Sequence, residues 1–271
     1  MNAFEAAMRR SSSTIFVPLV YRLAARLEQI DVMEMLADPA TAAFVLRNAQ
    51  RLFKLPAVVN QFQLGIELEG GDSIVERDKS GIPTGFTGAV SLGRSTAESL
   101  DAIVDTAARL RVELQDQAGI LGVLTGPATL ASLADVSPSD IADLYVAMAR
   151  RYADARLAAV LLVEAPMIQV NPALLQETTK ELVNICRFYR LKSILLAPNA
   201  LSAAGPIDHF CGAEDVLQND VLLGDLAAGS VKLADRKGLL LTAGEVPETL
   251  PPEQLKSWIE VLNHASEGAS R

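Results

Sequence analysis

The chain has 271 residues, half of them hydrophobic, and a formal net charge of −9 at pH 7. This length fits one large domain or two small ones, and the apolar content is enough to bury a sizeable core, which excludes a disordered protein. The acidic balance argues against nucleic acid or an anionic membrane as the main partner, because both require clustered lysines and arginines.

The sequence lacks the usual patterns for export or membrane insertion. Residues 1–5 do not show the charged-then-apolar order of a signal peptide, and no apolar run approaches the length of a membrane span. The two cysteines, Cys186 and Cys211, lie far apart in sequence and give no disulfide framework, which agrees with a reducing compartment. We therefore expect a cytoplasmic protein.

In chain order, predicted helices alternate with short apolar strands. Helices are predicted at 21–30, 39–55, 96–115 with Ser95 or Thr96 as the cap, 138–157, 172–189 and 251–262. Strands are predicted at 57–62, 119–126, 159–166, 193–198, 221–226 and 238–242. Residues 76–95 contain too many glycines and prolines for a regular element, so we interpret them as an excursion or lid.

The alternation of strands and helices predicts a parallel sheet with crossover helices, hence an α/β fold. A barrel and an open doubly wound sheet are the two candidates. No G-x-G-x-x-G follows any predicted strand, which disfavours a dinucleotide-binding sheet. Polar side chains end several strands, and in a barrel such ends converge on one mouth where sites form. These side chains are Gln61, Gln63, Thr125, Glu164, Asn199, His209, Asp225 and Glu245.

The motif His209-Phe210-Cys211-Gly212 combines one of only two histidines with one of only two cysteines. An imidazole and a thiolate at this spacing can both bind one zinc ion, but a catalytic zinc normally takes three protein ligands, so a third must come from elsewhere. On these residues alone, a metal site and a buried structural pair are both open. Cys186 lies in a predicted helix, where core packing is the favoured interpretation.

Four segments in chain order carry a resemblance to a known family. They are Asp38-Pro39 with the helix after it leading to residues 59–69 (VNQFQLGIELE), then 126–131 (GPATLA), 209–212 (HFCG) and 244–253 (GEVPETLPPE). They are similar to four motifs of the uroporphyrinogen decarboxylase superfamily: a strand ending in Phe-Asp-x-Thr-x-Glu-Ala-Glu, a Gly-Pro-x-Thr-Leu turn, a His-x-Cys-Gly zinc motif and a closing Cys-Glu-x-Pro-x-Thr-Pro-x-Glu-Asn segment. The chain most resembles the zinc-dependent methyltransferases of this superfamily, which pass a methyl group from a corrinoid to coenzyme M.

The resemblance implies a (β/α)₈ barrel in a single domain over residues 1–271, a small-molecule substrate, zinc, and a corrinoid carried by a partner protein. It implies His209 and Cys211 as zinc ligands. The family's third ligand, a cysteine, is Gly244 here, which leaves the adjacent Glu245 as the nearest oxygen donor. In the mechanism that the resemblance implies, zinc lowers the pKa of a substrate thiol, which then attacks the methyl group.

Three further residues are candidates for catalysis at the barrel mouth. Gln63 stands where the family has an aspartate after the phenylalanine, and Glu164 and Asp225 are carboxylates that end predicted strands. For Glu164 and Asp225, a structural hydrogen-bonding role is an equally open interpretation.

The sequence also departs from a complete barrel. Only about a dozen residues separate Cys211 from Gly224, and Leu226 from Gly238, whereas a full barrel unit needs roughly thirty. We therefore expect at least one late unit to be reduced. Two alternatives remain open: a uroporphyrinogen-type decarboxylase, although its Arg-rich N-terminal segment and catalytic aspartate are missing, and a non-catalytic accessory barrel that pairs with a complete homologue across an apolar seam.

Overall fold

The computed structural model describes residues 3–9, 14–90, 92, 97–202, 205–224 and 238–268. The strands are β1 (Thr14–Leu19), β2 (Ala57–Val59), β3 (Ile74–Arg77), β4 (Pro83–Thr87), β5 (Gly119–Thr125), β6 (Ala159–Val163), β7 (Lys192–Leu196), β8 (His209–Cys211), β9 (Val216–Leu217) and β10 (Gly238–Glu245). The helices are α1 (Ala3–Arg9), α2 (Tyr21–Glu28), α3 (Val32–Ala37), α4 (Pro39–Phe53), α5 (Ala97–Leu114), α6 (Pro127–Leu133), α7 (Pro138–Asp154), α8 (Pro172–Tyr189), α9 (Asn219–Leu223) and α10 (Pro252–Gly268).

Eight of the strands run parallel and form a barrel. Five pair in the order β2-β5-β6-β7-β8, and three pair in the order β1-β10-β9. The first and last of the described strands, β1 and β10, run side by side with Thr14 opposite Gly238, and β1 packs beside β2. This arrangement confirms the predicted (β/α)₈ fold.

The barrel core follows from the apolar strand sequences. Every residue of β5 and β6 is buried, as expected for parallel strands covered on both faces. The helix starts follow ordinary capping rules: the Asp38 carboxylate accepts hydrogen bonds from the N–H groups of Ala40 and Thr41, both at 3.1 Å, with Pro39 in the first turn of α4. Among the described helices, none is long and apolar enough to cross a membrane.

The late part of the barrel is reduced, as predicted. Four residues, 212–215, connect β8 to β9 without a helix, and α9 is only five residues long. The predicted strand at 221–226 was wrong, because residues 219–223 form α9 and the strand lies earlier, at Val216–Leu217. Within the apolar run, Leu222 is fully buried while Leu223 is 49% exposed, so the run has one apolar helical side rather than two buried strand faces.

The predicted excursion contains a regular element. Strands β3 and β4 form an antiparallel hairpin with Val75 opposite Phe86. In its turn, Oδ1 of Asp78 accepts hydrogen bonds from the N–H groups of Ser80 (2.8 Å) and Ile82 (3.0 Å), and Gly81 has a φ of +79°. Residues 93–96, including the predicted caps Ser95 and Thr96, lie outside the described residues.

Candidate functional site

A cavity of about 220 Å³ opens at the carboxyl ends of the barrel strands. We call it the mouth cavity. Apolar side chains, amides and two carboxyl groups line it, and none of its described lining residues is a Lys, Arg or His. Its walls come from the ends of β2, β6, β7 and β10, from the hairpin tip and from α9. The lining residues are Phe62, Leu64, Ser80, Gly81, Ile82, Val163, Glu164, Pro166, Pro198, Asn199, Gln218, Asn219, Ala243, Gly244 and Glu245.

Glu245, the last residue of β10, is one of the two buried carboxyl groups of the cavity. Its side chain is 7% exposed, and its oxygens meet Arg22: the backbone N–H of Arg22 donates to Oε1, and Nε of Arg22 lies 3.2 Å from Oε2. Burial raises the pKa of Glu245 from 4.5 to about 8, although Arg22 acts to lower it. Glu245 therefore changes its protonation state near neutral pH.

Arg22 connects Glu245 to two other parts of the mouth. Its Nη2 donates to Oε1 of Gln63 at 3.4 Å, and a Cβ atom built on Gly81 would overlap its guanidinium group. The structure thus links Gln63 and Glu245 through Arg22, although Gln63 does not line the cavity. Sequence reasoning missed Arg22, and the only available signal was its place just after the end of β1, where barrel sites form.

Asn219, at the start of α9, lines the cavity and carries a buried acceptor without a partner among the described residues. Its Nδ2 donates to the backbone oxygen of Glu245 at 3.2 Å, while its Oδ1 is buried and has no hydrogen-bond partner among the described residues. Leaving a buried acceptor unpaired costs about 1–3 kcal/mol.

Glu164 has a structural role in this geometry. Its carboxylate accepts hydrogen bonds from the N–H groups of Ala128 (3.0 Å) and Thr129 (2.8 Å) and from the Thr129 hydroxyl (2.6 Å), which caps the start of α6. Burial raises its pKa, and these hydrogen bonds act to lower it. Both carboxylate oxygens accept hydrogen bonds from the start of α6. Glu164 therefore forms part of the cavity wall and is not a free acid.

Two other polar residues at strand ends, Thr125 and Gln61, form hydrogen bonds within the protein. The Thr125 hydroxyl donates to Oε2 of Glu67 at 2.6 Å, and its N–H donates to Oε1 at 2.7 Å. The side chain of Gln61 donates to the backbone oxygen of Val123 at 3.3 Å and accepts from the N–H of Gln63. These polar groups satisfy one another around the barrel end, and neither Thr125 nor Gln61 lines the cavity.

The three predicted zinc ligands do not come together in the described structure. His209 lines a groove at the amino-terminal end of the barrel, Cys211 is 1% exposed, and Glu245 lines the cavity at the other end. Within the described residues, no group of three His, Cys, Asp or Glu side chains is placed to hold a metal ion. Burial raises the pKa of the Cys211 thiol to about 12. The donor set therefore does not fit a three-ligand zinc centre, and the zinc itself stays a prediction.

Three other residues considered in the sequence are Asp225, Cys186 and His209. Asp225 lies outside the described residues. Cys186 is fully buried in α8, as its predicted core packing requires, and burial raises its pKa to about 12. For His209, burial and the charge of Lys192 lower the pKa of the imidazole.

Comparison with known proteins gives structural neighbours only. No protein-family model and no curated protein sequence matches the chain. A methyltransferase from Methanosarcina mazei superposes with a TM-score of 0.70 at 12% identity, covering 93% of each chain. A B12-independent methionine synthase from Shewanella sp. W3-18-1 in complex with selenomethionine gives a TM-score of 0.54 at 13% identity, covering 84% of this chain and 87% of that one. At these identities the likeness concerns the fold: the chain has the barrel architecture found in these two structures.

Proposed function

We propose that this chain is a methyltransferase that moves a methyl group to a small acceptor, a thiol or similar nucleophile, bound in the mouth cavity. The fold likeness to a methyltransferase and a methionine synthase supports the reaction class. The observation that carries the proposal is the placement of Glu245, a buried carboxyl group at the end of β10 that lines the cavity and is held by Arg22. Barrel enzymes place their reacting groups at this end of the strands.

In the proposed step, the acceptor atom forms a bond to the methyl carbon while the bond from that carbon to its donor breaks. The bonding electron pair stays on the donor, and the proton of the acceptor passes to the Glu245 carboxylate. A base works best when its pKa lies near the working pH, and the pKa of Glu245 is about 8. Arg22 positions the carboxylate and neutralises its charge before the proton arrives.

The cavity also restricts the acceptor. At about 220 Å³ it is smaller than the roughly 300–1,000 Å³ of pockets that hold drug-sized ligands, so the acceptor is small. Phe62, Leu64 and Ile82 supply apolar walls for the rest of the molecule.

The methyl donor belongs to the same proposal. A corrinoid is too large for the mouth cavity, so it would remain bound to a partner protein and approach the opening from outside. Zinc takes no part in the proposed step, because the described residues bring no three metal donors together.

The two alternative functions have less support. A decarboxylase of carboxylate-rich substrates needs cations around them, but among the described residues that line the cavity there is no Lys, Arg or His, and Arg22 is already paired with Glu245. An accessory barrel would need an exposed apolar face to bind its homologue. Next to the connection between β8 and β9, which has no helix, Phe210 is partly buried against the core and does not belong to a broad exposed face.

The proposal is tested by methyl transfer from free methylcobalamin to small thiols, coenzyme M and homocysteine among them, followed as loss of methylcobalamin absorbance. We expect turnover by the natural chain and a loss of about 10²–10⁴-fold in Glu245→Gln, which keeps the shape of the side chain but cannot take the proton. Thiol binding, measured by calorimetry, should survive in the variant. No turnover with any thiol, or equal turnover in the variant, would overturn the proposal.

A further inference from the structure

A second, larger opening lies at the amino-terminal end of the barrel. It is a groove of about 780 Å³ between α1 and the loops that lead into β5, β6, β7 and β8, and we call it the basal groove. Its floor is apolar: Phe4, Leu157, Ala158 and Leu191 are each no more than 5% exposed. A groove of this volume is within the range of sites that hold small ligands.

The basal groove is rich in cations although the chain as a whole is acidic. Four arginines and one lysine line it, namely Arg111, Arg156, Arg187, Arg190 and Lys192, against three carboxylates. The whole chain carries a formal charge of −9. Cations gathered in a groove focus the local potential and attract anions.

Two of the arginines form ion pairs with neighbouring aspartates. Nη2 of Arg111 lies 3.4 Å from Oδ1 of Asp116. Arg187 donates through Nη2 to the backbone oxygen of Pro206 at 3.0 Å, and its Nε lies 3.7 Å from Oδ1 of Asp208. Asp116 and Asp208 are therefore already engaged with cations, and two guanidinium groups are held in place before any ligand arrives.

The other three cations take no part in these two ion pairs. Arg156, Arg190 and Lys192 are exposed, whereas the two ion pairs join Arg111 to Asp116 and Arg187 to Asp208. The carboxyl-terminal end of a helix carries only about half a negative charge, so one cation suffices to balance it. Three cations, Arg187, Arg190 and Lys192, gather at the end of α8, which is more than the helix itself requires.

An aromatic ring lies beside these cations. Tyr189 lines the groove and is 45% exposed, and its ring packs edge to face on Phe188 with centroids 5.0 Å apart. Exposed aromatic rings next to arginines are suited to stacking on planar ring systems such as nucleobases. His209, the imidazole of the His-x-Cys motif, adds a further polar group to the same groove.

We propose that the basal groove binds a nucleoside phosphate, with its phosphates on Arg156, Arg190 and Lys192 and its base on Tyr189. Guanidinium groups bind phosphate oxygens in pairs of parallel hydrogen bonds, which accounts for the arginine-rich wall. The aromatic ring and apolar floor accept a planar base, and inorganic phosphate alone would leave them uncovered. This site is separate from the mouth cavity and does not depend on the reaction proposed there.

The test is calorimetric titration of the full chain with ADP, pyrophosphate and adenosine. We expect ADP to bind more tightly than pyrophosphate, and adenosine more weakly than either. Arg156→Gly with Arg190→Gly should weaken ADP at least tenfold. Both residues have positive φ, 57° and 62°, so glycine keeps the backbone unstrained. Arg190→Gln with Lys192→Gln repeats the test if the first pair does not fold.

The matched control is Arg150→Ala with Lys180→Ala, which removes the same charge from exposed positions outside the groove. This control should leave ADP affinity within about twofold. Tyr189→Leu should weaken ADP but not pyrophosphate. The proposal is overturned if ADP does not bind the natural chain or if the control weakens ADP as much as the groove variants do. Equal affinity for pyrophosphate and ADP, with no effect of Tyr189→Leu, overturns the nucleoside assignment.

Discussion

Arg22 and Glu245 join the two strands that close the barrel. Arg22 follows β1 and Glu245 ends β10, and the ion pair between them spans 223 positions of sequence with Nε 3.2 Å from Oε2. Leu19 lies opposite Glu245 in the ladder between the two strands. Barrel closure therefore builds the charge pair of the mouth, so that the fold and the proposed site depend on the same contact.

The protonation of Glu245 predicts how stability depends on pH. Its pKa is about 8 in the folded protein and 4.5 ordinarily, so the folded state binds the proton more tightly. This contribution to stability is fully present below pH 4.5 and is lost as the pH rises through about 8. We expect the melting temperature of the natural chain to fall more steeply between pH 5 and pH 9 than that of Glu245→Gln. Parallel melting curves for the two proteins would contradict the raised pKa.

The turn of the hairpin predicts an effect on Arg22. An alanine at Gly81 would place its methyl group on the guanidinium of Arg22, whereas an alanine at Gly71 would meet nothing within 4 Å. Both glycines have positive φ, +79° and +59°, so both substitutions should cost about 1 kcal/mol of stability. Only Gly81→Ala should also lower methyl transfer, by about tenfold, because it displaces Arg22 from Glu245. Equal activity in the two variants would show that the turn does not hold Arg22.

Substitution of Glu164 should lower the stability of the protein rather than its catalytic activity. Glu164→Gln removes an acceptor from the three donors at the start of α6, which should cost about 1–3 kcal/mol in urea denaturation. The matched control is Glu253→Gln at the start of α10, where the side chain is 83% exposed and the change should stay within about 0.5 kcal/mol. A stable Glu164→Gln variant without activity would instead assign Glu164 to the reaction.

The separation of the predicted ligands leads to an expectation for zinc. Because the described residues bring no three donors together, His209, Cys211 and Glu245 alone should hold well under one zinc per chain in metal analysis of protein purified without added metal. The measurement includes His209→Ala and Cys211→Ser. Stoichiometric zinc that disappears in both variants would establish the metal centre that the resemblance implies, with its third ligand outside the described residues.

Much of the barrel was predictable because its strands are short apolar runs between amphipathic helices. The runs at 119–126 and 159–166 contain β5 and β6, which are fully buried. The apolar run at 221–226 led to a wrong strand prediction, and residues 219–223 form α9 instead. In sequence, the apolar side of a single helical turn looks the same as a short buried strand. The hairpin was not predicted because its glycines and prolines are typical of irregular segments. Gly81 lies in its turn and Pro83 begins β4, so neither residue disrupts it.

The site was less predictable because its geometry depends on contacts between distant residues. Glu245 was predicted at the mouth, but as a substitute zinc ligand; the structure shows it paired with Arg22. The His-x-Cys spacing could not show that β8 is only three residues long, with His209 near the opposite end of the barrel. No local pattern marked Asn219, whose unpaired oxygen follows from where α9 packs.

The most direct test of the account is the pH dependence of methyl transfer from methylcobalamin to a thiol, measured in the natural chain and in Glu245→Gln. Because the carboxylate form of Glu245 takes the proton, the account predicts a rate that rises as the pH passes through about 8 and then levels off. The variant should be slow and lack this rise. A rate that is independent of pH near 8, or the same profile in both proteins, would contradict the role assigned to Glu245.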